Sequence, residues 1–128
     1  MGKLLLPASA GVLAVLGLTC LFAPGEVLKQ LGEASPAPAG LLVQLLGAAL
    51  LGLAVLDWVS RHSPFGGIYA RPLAAGNLVH FGIGCLILAR DLVGHPQNSG
   101  VVWAWLSLYA VLGSGFAVAM FRRRVSAA

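Results

Sequence analysis

Six side chains could do chemistry in this chain: Asp57, Arg61, Tyr69, Arg71, Asn77 and His80. A carboxylate, two guanidiniums, a phenol, a carboxamide and an imidazole in one stretch could line a small polar pocket. The arginines would draw an anion or a polar headgroup, and the imidazole could carry a proton, since histidine titrates near neutral pH. Asn77 and His80 are three residues apart and share a helix face. Arg61 follows Asp57 by four residues. A helix continued into the loop would pair them as ions, and that pair could do no more than fix the loop. No nucleophile stands beside a base, so no residue is assigned as catalytic. There is no CxxC and no Cys/His spacing for a metal, so no metal ligand is assigned.

His80 is weighed by itself. Its plain role is a hydrogen bond to a neighbouring helix. It lacks a second histidine within an apolar run, because His62 and His95 lie between runs. Haem held by His80 from two copies has no positive support. No cofactor is expected.

These side chains must be positioned by membrane helices. Apolar residues make up 59% of the 128 residues and charged residues only 9%, against about 25% charge in a soluble domain. Four apolar runs cover Leu4–Ala23, Ala39–Val59, Pro72–Ala89 and Val101–Phe121. Crossing ~30 Å of hydrocarbon takes about 20 mainly apolar residues. The expected architecture is one all-α integral membrane domain over residues 1–128: a four-transmembrane-helix bundle with a short interfacial helix between the first two spans.

That interfacial helix is expected over Pro24–Glu33. Pro24 suits a helix start, and Val27, Leu28 and Leu31 share a face against Glu26, Lys29, Gln30 and Glu33. Its apolar face is too short to span, so it should lie outside the bundle core. Ser35-Pro36-Ala37-Pro38 then breaks the chain. The loop from Ser60 to Pro72 mixes cations, aromatics and the pair Gly66-Gly67.

Charge sets the orientation. With four crossings, Lys3, Arg61, Arg71 and Arg122-Arg123-Arg124 share one side, six of the eight Lys and Arg residues. The cytoplasmic side carries that excess, which places both termini inside the cell. Trp58 and Tyr69 then anchor the inner interface, Trp103 and Trp105 the outer. The net charge of +4 is no nucleic-acid signal, because no basic stripe is interleaved with aromatics. Lys3, an apolar stretch and small residues mimic a signal peptide, and Leu18-Thr19-Cys20 resembles a lipoprotein cleavage site. Gly17 fits that site poorly, and the segment reads as the first span.

In this topology the second span descends to Asp57 near its inner end, and the third rises through Asn77 and His80. At ~1.5 Å per residue, Asn77 stands ~8 Å and His80 ~12 Å above Pro72, with Asp57 ~3 Å from its own helix end. The three should converge in the cytoplasmic half, with Ser9 and Ser114 at similar depth. Gln44 and Ser107 read as ordinary bridges between helices. Cys20 and Cys85 read as small buried hydrophobes rather than a disulfide. Gly47, Gly52, Gly76, Gly84, Gly113 and Gly115 permit close backbone approach. The pairs Gly113/Ala117 and Gly115/Ala119 point mainly to packing inside the bundle.

The stretch Leu56-Asp57-Trp58, Gly66-Gly67-Ile68-Tyr69-Ala70-Arg71-Pro72 and Gly76-Asn77-Leu78-Val79-His80-Phe81 resembles small, uncharacterised four-helix proteins of the bacterial inner membrane. The resemblance covers about the middle third. It implies that location and supplies no activity. Gly76 four residues before His80 is similar to the small-xxx-His arrangement of bacterial light-harvesting polypeptides, which would imply pigment ligation at His80. Proteins of the DoxX type are similar in length and span count, without a shared motif. Small multidrug-resistance transporters use a membrane-embedded Glu in the first span, and none stands here.

The functional expectation is a non-enzymatic structural or accessory subunit, in a homo-oligomer or a larger membrane complex, in contact with membrane lipids. The first alternative is a small transporter or a lipid- or anion-binding protein using the inner polar pocket. The second is an enzyme on lipid or quinone, with His80 moving a proton.

Overall fold

The computed structural model describes residues 2–32, 37–62, 70–94 and 99–121. Among the described residues five α-helices follow one another: α1 (Gly2–Phe22), α2 (Pro24–Gln30), α3 (Ala37–Val59), α4 (Ala70–Gly94) and α5 (Ser99–Phe121). A 3-10 turn, Ser60–His62, continues α3. The helices α1, α3, α4 and α5 are long and apolar enough to cross a membrane. The chain is therefore an all-α, multi-pass membrane protein built on a four-helix bundle. Helix is the expected solution, because in hydrocarbon every backbone N–H and C=O must find its partner within the segment.

Observed and expected bounds of the four long helices agree within about two residues, except at the end of α4, and α2 ends at Gln30 rather than Glu33. α4 does not stop at Ala89 but runs through Arg90-Asp91 to Gly94. Loss of hydropathy does not end a helix. The stop signals, Gly94 and then Pro96, come later in the sequence.

The four long helices form two hairpins. α1 packs chiefly on α3, and α4 on α5, while contacts from α1 to α5 and from α3 to α4 are sparser. In the first hairpin the backbones touch. A Cβ on Gly47 would lie 2.7 Å from the Gly17 carbonyl oxygen, and one on Gly17 would lie 2.9 Å from that of Gly47. In the second, an aromatic ring fills the space. A Cβ on Gly84 would run into the ring of Tyr109 at Cε1. Gly113 lies against Phe81 and Gly115 against Leu5, so the small residues of α5 serve internal packing. Gly52 and Gly76 face open space and do not take part in close approach.

The core runs along the bundle through Leu6, Leu13, Leu50, Phe81, Leu112 and Phe116. Phe81 and Phe116 stack nearly parallel, with centroids 5.9 Å apart. Large apolar side chains also face outward on all four long helices, among them Leu18, Leu42, Leu86 and Val111. A soluble protein rarely exposes that much contiguous apolar surface; a membrane protein presents it to lipid.

α2 turns Leu28 and Val27 toward the bundle and leaves Glu26 and Lys29 exposed. Its short apolar face is thus partly used on protein, where the sequence pattern placed the whole helix outside the core. Leu31 stays exposed. The helix ends at Gln30, and past its cap residue Leu31 the chain turns at Gly32, whose φ of 78° is the left-handed conformation glycine adopts without strain. Glu33 lies outside the described residues.

A buried polar cluster between the hairpins as candidate site

Three polar side chains from three helices meet in the interior. Ser9 on α1 follows Leu6 by three residues and precedes Leu13 by four. Asp57 on α3 continues the stripe of Leu50 and Ala54, and Asn77 on α4 lies between Ala74 and Phe81. Helical spacing therefore puts each polar group on the core-facing stripe of its helix. All three are 0% exposed. Ser9 Oγ donates to Asp57 Oδ2 at 2.6 Å. Asn77 Nδ2 donates to Asp57 Oδ1 at 2.6 Å and to the Leu73 carbonyl at 3.2 Å. The carboxylate thus has one donor on each oxygen, one from its own hairpin and one from the other. Asn77 Oδ1 is buried and has no hydrogen-bond partner.

The ion pair of Asp57 with Arg61 does not form. Arg61 Nη1 donates to the Trp58 carbonyl at 2.7 Å, and its guanidinium sits 4.3 Å from the centre of the Trp58 ring. The cause is local. After Val59 the helix tightens into a 3-10 turn, where the near neighbour is three residues away rather than four. Asp57 has no ion-pair partner among the described residues. Arg71 is exposed, and Tyr69 lies outside the described residues.

His80, one turn beyond Asn77, takes a different partner. Its Nε2 is 3.4 Å from Tyr109 Oη on α5. Its ring meets Phe81 edge-on at 5.0 Å. Gly76 is not beneath the imidazole, since a Cβ there would touch nothing. The spacing shared with light-harvesting polypeptides is therefore not a packing feature here. Tyr109 was not singled out from the sequence. The available signal was a phenol in the middle of an apolar span, which needs a hydrogen-bond partner when buried.

The other polar groups sort simply. Gln44 bridges to the Leu21 carbonyl on α1 at 3.3 Å. Ser107 and Ser114 do not bridge: each returns its hydroxyl to its own helix, at Trp103 and Val111. Ser114 is exposed and takes no part in the cluster. Cys20 and Cys85 are free thiols. Among the described residues no group of three His, Cys, Asp or Glu side chains could hold a metal.

The cluster can hold the two hairpins in register and can hold charge. Ser9 faces a carboxylate rather than an imidazole and is closed to solvent, so it is not arranged as a nucleophile. Comparisons with protein-family models, with curated proteins and with solved structures found no match to this chain.

Proposed function

We propose that this protein is a non-enzymatic subunit of the bacterial inner membrane. In this reading it works in a homo-oligomer or as an accessory part of a larger membrane complex, with both termini in the cytoplasm. One observation carries the reading. Most of the polar groups singled out in the spans make internal bonds, Ser9 and Asn77 with Asp57, Gln44 with α1 and His80 with Tyr109. Large apolar side chains face outward on every long helix, which suits lipid and helix partners rather than a water-soluble substrate. The anion-binding alternative is less well supported, because Arg61 is engaged with Trp58. The enzyme alternative has His80 against a phenol but no nucleophile.

Native mass spectrometry of gently extracted protein tests this reading. A defined multimer or a co-purifying membrane protein is the expected result. A monomer that retains a quinone, pigment or single lipid overturns it in favour of a binding protein. The orientation rests on the six-to-two division of Lys and Arg. A reporter fused after Ala128 should be active only on the cytoplasmic side.

A further inference from the structure

The buried cluster contains two features that packing does not explain. Asp57 is closed to solvent and has no ion-pair partner among the described residues. An uncompensated carboxylate within a span is costly. Beside it, Asn77 Oδ1 is buried without a donor. The orphan oxygen belongs to the amide whose Nδ2 bonds Asp57, so it lies in the same cluster. A buried acceptor left without a donor is uncommon and calls for an explanation.

We propose that Ser9, Asp57 and Asn77 form a binding site for one small monovalent cation, Na+ being the ion of matching chemistry. The available ligands are all oxygen: a hydroxyl, a carboxylate and an amide carbonyl. Oxygen sets suit hard cations. The single carboxylate matches one positive charge, and a divalent ion would leave a surplus charge in apolar surroundings. A water molecule could satisfy Asn77 Oδ1 but would leave the Asp57 charge uncompensated, and a proton on Asp57 would remove the charge but, with Asn77 Nδ2 on Asp57 Oδ1, leave Asn77 Oδ1 without a donor; a cation held by both residues would answer both. The two hydrogen bonds of 2.6 Å draw the three side chains together, which favours a small ion over a large one. Position also fits. Asp57 lies two residues before the end of α3, about 3 Å of helix rise from the end of the span. A hydrated ion would therefore have a short way to go. The site takes ligands from both hairpins, so occupancy would clamp one to the other.

The test is thermal unfolding of the full chain in detergent, with Na+ replacing choline at constant pH and ionic strength. A ligand that binds only the folded state raises the midpoint in a saturable way. Wild type should show that rise, and Asp57→Asn should lose it. Ser9→Ala keeps the charge and should need several-fold more Na+ for the same shift. Equilibrium dialysis of wild type against radioactive sodium, free of any question of variant folding, should retain one ion per chain. Three results would overturn the site. One is no sodium retained by wild type. Another is an equal salt response in Asp57→Asn. The third is a midpoint that follows pH and ignores Na+, which would make a proton the neutralising charge.

Discussion

The two hairpins use glycine for opposite purposes. Between α1 and α3, Gly17 and Gly47 remove side chains so that two backbones can touch. Between α4 and α5, Gly84 removes a side chain so that the ring of Tyr109 can enter. The first seam is backbone on backbone and has little room to adjust. The second is backbone on side chain, and a side chain can change rotamer. The seams should therefore respond differently to the same insult, an added methyl group.

The largest effect is expected at the rigid seam. Gly47→Ala would press a methyl onto the Gly17 carbonyl at 2.7 Å and the Leu21 nitrogen at 2.9 Å. Overpacking commonly costs about 1–3 kcal/mol, and with backbone on the far side the cost should reach about 3 kcal/mol or more. Gly52→Ala, on the same helix but facing open space, is the control and should be neutral or slightly stabilising. Thermal unfolding in detergent compares them. Equal midpoints would remove the close-approach account of the first hairpin.

Next comes the polar bond that joins the hairpins. Asn77→Leu leaves Asp57 buried with Ser9 alone. Losing a hydrogen bond to a charged group costs about 1.5–3 kcal/mol. Asp57→Leu combined with Asn77→Leu should cost less than the sum of the singles, because no orphaned charge remains. Strict additivity in this double-mutant cycle would mean that the bond contributes nothing as a pair.

At the adaptable seam, Gly84→Ala should cost about 1–2 kcal/mol, less than at Gly47, because Tyr109 can yield. Its distinguishing mark is rescue. Adding Tyr109→Leu should recover part of the loss, whereas no second-site side-chain change should rescue Gly47→Ala. A lack of recovery would show that the obstruction at Gly84 is not the ring.

The smallest effect lies outside both seams. Lys29 Nζ donates to Glu26 Oε1 at 2.7 Å on the exposed face of α2. The hydrogen bond and charge of Glu26 hold the Lys29 ammonium above its ordinary value of 10.5. A raised cation stabilises the fold below that ordinary value and loses the contribution as pH rises through the folded one, so any effect disappears only in strong alkali. Exposed pairs of this kind are screened by salt. Glu26→Gln should leave the midpoint unchanged near neutral pH. A clear drop there would give α2 a structural role that its exposed polar face does not suggest.

Much of this architecture is legible in the sequence. The spans followed from apolar length, and the short helix at Pro24 followed from its proline and its amphipathic pattern. The proximity of Asp57 and Asn77 followed from antiparallel crossing, which brings the end of one span and the start of the next to one depth. The tail of α4 is not marked by hydropathy, which locates membrane and not helix ends.

The sequence by itself determined that four helices are long and apolar enough to cross, where each begins to within about two residues, and that Asp57 and Asn77 come to one depth. Those properties depend on composition and on the fixed rise of a helix, both local. Only the tertiary structure decided who bonds whom. Arg61 turned to Trp58 because a 3-10 turn changed its neighbour from four residues away to three. Ser9 and not Ser114 reached Asp57, and His80 found Tyr109 rather than the carboxylate. Depth is one coordinate along the bundle. Partnership also needs the rotation of each helix about its axis, and that rotation is set by how Gly17, Gly47, Gly84 and the rings between them fit.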